Sequence, residues 1–97
     1  MQILMSQEIG DATFSGWNLN TGGGDRYYDK VITFQVPLST PPLVQVNLVK
    51  VDADKQFNLR VEVLVQGITI NGFTLRFHTW ADTKLYSVKA NWIAVTA

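Results

Sequence analysis

The chain has 97 residues, which fits one domain spanning residues 1–97. Its 8 Lys and Arg residues balance its 8 Asp and Glu residues, so no basic excess directs it to nucleic acid or an anionic membrane surface. The absence of cysteine excludes disulfides and cysteine-containing zinc sites. A hydrophobic content of 46% is that of a packed globular domain and not of a disordered chain.

The first residues show no targeting pattern. Residues 1–6 contain no cationic region, and their apolar run is too short for a secretory signal. No stretch approaches the roughly 18 apolar residues of a membrane span, so no membrane insertion is expected. The location stays open between a cytoplasmic protein, a protein exported by a non-conventional route, and a processed form.

The first quarter of the chain combines one strand pattern with loops. Residues 3–9 mix apolar and polar side chains and predict a short strand, which a turn at Gly10 ends. Trp17 is an aromatic of the kind that anchors a loop to the core. Three glycines at 22–24 precede Asp25 and allow a ligand or another chain to come close, although a mobile surface loop fits them equally.

Two strands are predicted in the middle of the chain. Ile32, Phe34 and Val36 alternate with polar residues, which is typical of a half-buried strand, and the prolines that follow end it. Residues 43–52 predict the next strand, and its apolar phase flips at Leu48. A β-bulge or a tight bend at that point would direct both halves of the strand into the core.

The second half of the chain alternates more regularly. Residues 57–66 form the clearest predicted strand, and the Asn-Gly pair at 71–72 predicts a tight hairpin. Residues 73–77 and 86–92 alternate again, the latter with Tyr86 on the apolar face. No segment has a sustained helical period. The sequence therefore predicts an all-β fold, a six-stranded antiparallel β-sandwich.

No combination of side chains predicts catalysis. The single His78 has no nucleophile or carboxylate at a telling spacing and is interpreted as a hydrogen-bonded surface or interface histidine. Glu62 alternates with Arg60 and is interpreted as its partner in a surface ion pair. Asp52 and Asp54 begin a calcium-loop pattern, but no turn glycine or closing Glu follows. We therefore expect no enzyme, no metal and no cofactor.

A polar and aromatic corner between two strands points to another kind of site. Trp80 and Tyr86 each offer a flat apolar face with a polar tip, although core packing explains such rings equally well. The Arg60 guanidinium suits two adjacent oxygens, although a solvent-facing arginine fits the same spacing. Sugars require both kinds of group, so the corner together with Arg60 and Asp25 is interpreted as a sugar-binding site.

Short motifs over the last two-thirds of the chain carry a family resemblance. They are VITF at 31–34, PPLV at 41–44, NLRV at 58–61, TWADTKLYS at 79–87 and WIAV at 92–95. In order and spacing, residues 26–95 resemble the H-type lectins, the family of snail agglutinins and of the discoidin C-terminal domain. The resemblance implies a six-stranded β-sandwich that forms a homotrimer, with hexamers left open. It also implies sites between protomers that bind galactose or N-acetylgalactosamine without a metal, as in agglutinins and cell-adhesion proteins.

The resemblance also implies roles for individual residues. The positions assigned to the sugar are Gly23, Asp25, Arg60, Trp80, Ala81 and Tyr86. Arg60 would bond ring hydroxyls and Asp25 would lie opposite it, with Asp29 as the fallback acid. Where the snail agglutinins have a His that holds the acetamide, this chain has Ala81, so a weaker preference for N-acetylgalactosamine is expected.

Two other functions remain as alternatives. A trimeric structural or adhesion module would need the same sandwich but no free pocket. A hydrolase on this scaffold would need a nucleophile and base, and the sequence offers no such pair.

Overall fold

The computed structural model describes residues 1–97 and consists of strands, turns and loops. The strands are β1 (Gln2–Asp11), β2 (Arg26–Thr33), β3 (Leu43–Ala53), β4 (Glu62–Thr69), β5 (Gly72–Thr79) and β6 (Leu85–Thr96). They form two three-stranded sheets, with the orders β1–β6–β3 and β2–β5–β4. Every pairing is antiparallel, so the predicted six-stranded antiparallel sandwich is confirmed. No helix long and apolar enough to cross a bilayer is present.

The core lies between the two central strands. The buried apolar side chains of β5 and β6 are Phe73, Leu75, Phe77, Val88, Ala90, Trp92 and Ala94. Successive side chains of a strand point to opposite faces, so the alternation read from these two segments places their apolar residues in this layer. Leu19, Phe34, Leu38 and Leu85 close the layer from loops and strand ends.

Two features of the first half match their predictions. The register of β3 against β6 shifts between Leu48 and Lys50, as expected for a bulge, and Val44, Val46, Val51 and Ala53 all pack against the core. Trp17 anchors its loop as predicted: its indole Nε1 donates to the Leu85 carbonyl at 2.9 Å. The predicted turn at Gly10 is wrong, because β1 continues to Asp11.

Two predicted strands extend beyond the observed ones at one end. Strand β2 ends at Thr33, so Phe34 is buried from a loop whereas Val36 is 70% exposed and not in the core. Strand β4 begins at Glu62, and residues 57–61 are irregular. Alternation alone did not reveal this, because an irregular segment held by side-chain bonds can keep the same apolar spacing.

The predicted β4–β5 hairpin is confirmed, but its turn lies one residue earlier. Thr69 pairs with Gly72, so Ile70 and Asn71 form the turn and Gly72 begins β5. A Cβ at Gly72 would lie 1.9 Å from the carbonyl oxygen of Ile32. Glycine is therefore needed here for the close approach of β2 and not for the turn angles.

The outer face of the β1–β6–β3 sheet is largely apolar at one end. By the pairing register, Ile3 and Met5 of β1, Ile93 and Val95 of β6, and Leu43 of β3 share this face. Met5 and Leu43 are each 70% exposed. A cavity of about 340 Å³ opens here, lined by Met5, Ser6, Gln7, Asn47, Asn91, Trp92 and Ile93. The carboxamide oxygen of Asn91 is buried and has no hydrogen-bond partner within the chain.

Candidate functional site

The glycine-rich loop is packed against the loop that follows β5. The Gly24 amide donates to the Ala81 carbonyl at 2.9 Å, and Lys84 Nζ donates to the Gly22 carbonyl. Gly22 and Gly24 have φ angles of 64° and 74°, which favour glycine. A Cβ at Gly23 would lie 3.4 Å from the Ala81 carbonyl oxygen. The structure therefore favours the close-approach interpretation of this loop over a mobile surface loop.

The Arg26 side chain also connects the glycine-rich loop to the loop that follows β5. Its side chain donates to the carbonyls of Leu19, Thr21, Gly24 and Ala81 at 2.9–3.2 Å, and the residue is 6% exposed. Sequence reasoning missed this role, because Arg26 is the first residue of a strand and reads as an ordinary surface arginine. Only the fold brings four backbone carbonyls around one guanidinium.

We expect Arg26→Ala to lower the free energy of unfolding by roughly 3 kcal/mol or more, because four carbonyls would lose a charged donor and some would stay buried. Urea unfolding of both proteins at one concentration measures this. Arg76→Ala is the control, because it also removes a guanidinium, but from a side chain that is 27% exposed and not buried. A loss no larger than that of the control would contradict the structural role of Arg26.

His78 lies between two carboxylates on the outer face of the β2–β5–β4 sheet. Its Nδ1 is 2.6 Å from Glu62 Oε1, and its Nε2 is 2.9 Å from Asp25 Oδ1. The residue is 9% exposed, so the prediction of a surface histidine is wrong, although the hydrogen bonding is confirmed. The predicted Glu62–Arg60 ion pair is also wrong. Cross-strand pairing places Glu62 directly opposite His78, whereas Arg60 lies outside the strand.

Aromatic rings cover both faces of the His78 ring. The Tyr27 ring is stacked on it at 4.5 Å between centroids, and the Trp80 ring at 5.2 Å. Trp80 remains 37% exposed, so it is held by His78 and still offers surface to solvent. The structure therefore connects Asp25 and Trp80, two of the predicted site residues, through a histidine that the sequence did not assign to the site.

Arg60 is fixed by the loop that follows β5. Its Nη1 donates to Asp82 Oδ1 at 2.8 Å and to Thr83 Oγ1 at 3.2 Å. The hydroxyls of Thr79 and Thr83 donate at 2.5 Å to the carbonyls of Arg60 and Asn58, respectively, which holds the irregular segment in place. Nη1 carries both of the side-chain bonds, so Nη2 and Nε keep donors for a further partner.

The two candidate acids differ in what they can still accept. Both carboxylate oxygens of Asp29 accept from Arg76, at 2.7 and 2.9 Å. The hydrogen bond from Arg76 also lowers the pKa of Asp29 below its usual range, outweighing burial. Asp25 has a 66% exposed side chain and uses Oδ1 for His78, which leaves Oδ2 for a ligand. The geometry favours Asp25 over the fallback Asp29.

Tyr86 makes no hydrogen bond to the other predicted site residues. It belongs to β6, and the pairing with β3 passes from Ser87 to Leu85, so Tyr86 is the extra residue of a bulge. It is 38% exposed, and its hydroxyl lies 3.5 Å from Asp54 Oδ2. The prediction that Tyr86 shares the apolar face with Val88 is therefore wrong, because the bulge reverses the alternation.

Within one chain, the corner combines donors, an acceptor and an exposed ring. The loops around residues 78–83 link Gly23, Asp25, Arg60, Trp80 and Ala81, whereas the Tyr86 hydroxyl contacts Asp54. No group of three or more His, Cys, Asp and Glu side chains is placed to hold a metal ion. Such an arrangement suits a ligand with several hydroxyls and an apolar face.

Comparisons with known proteins point to one family. A model described as the H-type lectin domain matches residues 29–95. The chain is 38% identical over 80 residues to "ATP synthase subunits region ORF 7" of Fuscovulum blasticum, covering 82% of this chain and 70% of that protein. It is 36% identical over 90 residues to a Discoidin-1 chain of Dictyostelium discoideum, covering 90% of this chain.

The structural comparison agrees with the sequence comparison. Discoidin II of Dictyostelium discoideum superposes with a TM-score of 0.84 at 28% identity, covering 96% of this chain. Its wild-type structure gives a TM-score of 0.86 at 29% identity, covering 98% of this chain. The chain spans only 36% of the length of the Discoidin-1 chain and of the discoidin II chains.

Proposed function

Because the chain belongs to the H-type lectin domain family, we propose that it binds terminal galactose or N-acetylgalactosamine on glycans, as a homotrimer and without a metal. Family membership makes it a carbohydrate-binding lectin domain and not an enzyme. The choice of sugar and the assembly go beyond that membership, and the following observations support them.

The observation that carries the sugar-binding proposal is the corner built on residues 78–83. Arg60 presents unused guanidinium nitrogens, and Asp25 presents an unused carboxylate oxygen. Two adjacent sugar hydroxyls can accept hydrogen bonds from the Arg60 guanidinium and donate hydrogen bonds to the Asp25 carboxylate. The exposed Trp80 ring offers an apolar surface for the CH face of the sugar, and the Gly23 backbone can approach closely because it has no side chain.

The outer face of the β1–β6–β3 sheet supports the assembly. It exposes Ile3, Met5 and Leu43 beside the partly exposed Ile93 and Val95. Exposed apolar patches of this kind mark interaction surfaces, and a face of one sheet can meet its own copies around a symmetry axis. The unpartnered Asn91 amide oxygen would also find a donor in such an interface.

The position of Tyr86 supports sites between protomers. Tyr86 is exposed on the sheet that carries the proposed interface, and its hydroxyl contacts Asp54 and neither Asp25 nor Arg60 of its own chain. In the proposed trimer, Tyr86 of a neighbouring protomer reaches the corner of the adjacent chain. Single-site sugar binding is weak because each hydroxyl exchanges one partner for another, and three equivalent sites add avidity for branched glycans.

Ala81 sets the expected preference between the two sugars. Its methyl side chain cannot hydrogen-bond an acetamide, and its carbonyl is already used by Gly24 and Arg26. We expect galactose and N-acetylgalactosamine to bind within about tenfold of each other, a difference of less than about 1.4 kcal/mol. Competition titrations with both free sugars, with glucose as the control, measure this.

A paired variant sharpens the same experiment. Ala81 has a φ of 58°, a left-handed conformation that His tolerates better than most residues. We expect Ala81→His to gain preference for N-acetylgalactosamine, whereas Ala81→Asn serves as the backbone control. A large N-acetylgalactosamine advantage in the unmodified chain would contradict the role of Ala81. Silence toward both sugars, with a stable trimer in sedimentation, would favour the structural module.

A further inference from the structure

His78 is built into the sheet beneath the sugar corner with every polar atom used. It is the only histidine of the chain. Its side chain is 11% exposed, whereas those of its partners Asp25 and Glu62 are 66% and 46% exposed. Packing alone does not require a histidine here, because an apolar ring could fill the same space between Tyr27 and Trp80. The two polar contacts of the ring therefore indicate a further role.

The two hydrogen bonds define the protonation of the ring. Both ring nitrogens face a carboxylate oxygen, at 2.6 Å for Glu62 and 2.9 Å for Asp25. Ionised carboxylates only accept hydrogen bonds, so both nitrogens must donate. Only the imidazolium form carries a proton on each nitrogen, so His78 is positively charged whenever both bonds exist.

The surroundings of the ring fit a cation. Rings cover both faces, and a cation over an aromatic face is attracted by the ring quadrupole. The charged and titratable groups around His78 are Glu62 of β4, Asp25 before β2, Tyr27 of β2, Arg76 of β5 with its partner Asp29, and Arg60 with its partner Asp82. Arg76 lies on the Tyr27 ring at 4.5 Å, and Asp29 neutralises it. The charged groups bonded to His78 itself are its two carboxylate partners.

We propose that His78 is a positioning residue of the sugar site, whose imidazolium bridges Glu62 and Asp25 and so orients the Asp25 carboxylate and the Trp80 ring for the ligand. This inference rests on the proposed function of the corner in binding galactose. Because the Asp25 side chain is 66% exposed, its bond to His78 is what limits its rotation. Fixing one oxygen before the sugar arrives removes part of the entropy cost of binding.

The proposal makes sugar binding depend on the two donors of the His78 ring. A ring without nitrogen would keep the stack between Tyr27 and Trp80 but would leave the Asp25 carboxylate free to rotate. Galactose affinity therefore falls by about tenfold when both donors are removed.

The first experiment reads the ring directly. Because the chain has one histidine, its ring signals in a nitrogen–proton NMR correlation need no assignment. We expect both ring nitrogens to carry a proton under the conditions in which galactose binds, because each faces a carboxylate oxygen. A neutral ring in a sample that binds galactose fully would overturn the proposal.

Two variants separate positioning from packing. His78→Phe keeps a ring between Tyr27 and Trp80 but removes both donors, so galactose affinity should be about tenfold lower. Glu62→Gln weakens the bond that holds the ring from its other side and leaves the ring stack in place, so galactose affinity should also fall. A role in packing alone would leave the affinity of Glu62→Gln unchanged, and this result would overturn the proposal even if His78→Phe failed to fold.

The proposed function can fail independently of this inference. If the unmodified chain binds no galactose, the function is wrong, and an imidazolium in the NMR spectrum would be a feature of the fold alone. If Asp25→Asn binds galactose as well as the unmodified chain, Asp25 is not the sugar acid and the positioning role falls with it. If Asp25→Asn loses affinity but Glu62→Gln binds galactose as well as the unmodified chain, only the role of His78 is overturned.

Discussion

Replacing Arg60 by alanine is expected to lower galactose affinity by about 100-fold or more, because hydrogen bonds to a charged group contribute about 1.5–3 kcal/mol each and two of them would be lost. The fold should persist, since the Arg60 side chain is 26% exposed and its only acidic partner, Asp82, is 64% exposed. Titration with galactose measures the loss, and sedimentation of the same sample checks the assembly.

Arg76→Ala is the matched control for Arg60→Ala. Arg76 has nearly the same side-chain exposure, 27%, and makes an ion pair of similar length with Asp29. We expect its galactose affinity to stay within about threefold of the unmodified chain, because surface ion pairs contribute little to stability. Retained affinity in Arg60→Ala would refute the assigned role of Arg60. If only Arg76→Ala loses galactose affinity, the result would favour Asp29, the partner of Arg76, as the sugar-binding acid.

Replacing Ile93 by glutamate is expected to dissociate the proposed trimer into single chains. Ile93 lies on the central strand of the β1–β6–β3 sheet, opposite Met5 of β1 and Gln45 of β3, on the face proposed for assembly. A carboxylate there stays solvated in a single chain but loses its water in the interface, at a cost of several kcal/mol for each chain. Sedimentation equilibrium measures the change in mass.

Thr74→Glu places the same charge on the central strand of the other sheet. Thr74 is partly exposed between Val31 and Gln66 on the outer face of the β2–β5–β4 sheet. We expect this variant to assemble as the unmodified chain does. An Ile93→Glu protein that stays trimeric would place the interface elsewhere. If the unsubstituted protein is already a single chain in solution, no second copy covers the apolar face, and the proposed assembly is wrong.

The two variants also separate affinity from avidity. Arg60→Ala should keep the assembly and lose sugar, so it should neither bind free galactose nor agglutinate cells. Ile93→Glu should lose agglutination through the loss of multivalency and should also bind free galactose more weakly, since Tyr86 of a neighbouring protomer would be absent. Weak but measurable binding of free galactose by single chains would show how much of the site one protomer supplies.

Local patterns were sufficient for most of the scaffold. Alternation identified β5 and the inner face of β6, and the phase flip at Leu48 located a real bulge. The family resemblance of the loop at 79–87 was likewise readable, because it depends on residues close in sequence. Errors appeared where a segment kept strand spacing without a partner strand, as at Val36 and in residues 57–61.

The sequence by itself determined an all-β sandwich of the H-type lectin family, because its strand periods and motifs are local properties of the chain. Only the tertiary structure decided how the site is supported. Arg26 gathers carbonyls from residues 19 to 81, and His78 of β5 joins Glu62 of β4 to Asp25 in the loop before β2. These bonds connect residues up to 55 positions apart. They form only after the strands have paired and brought the loops together, so no spacing in the sequence reports them.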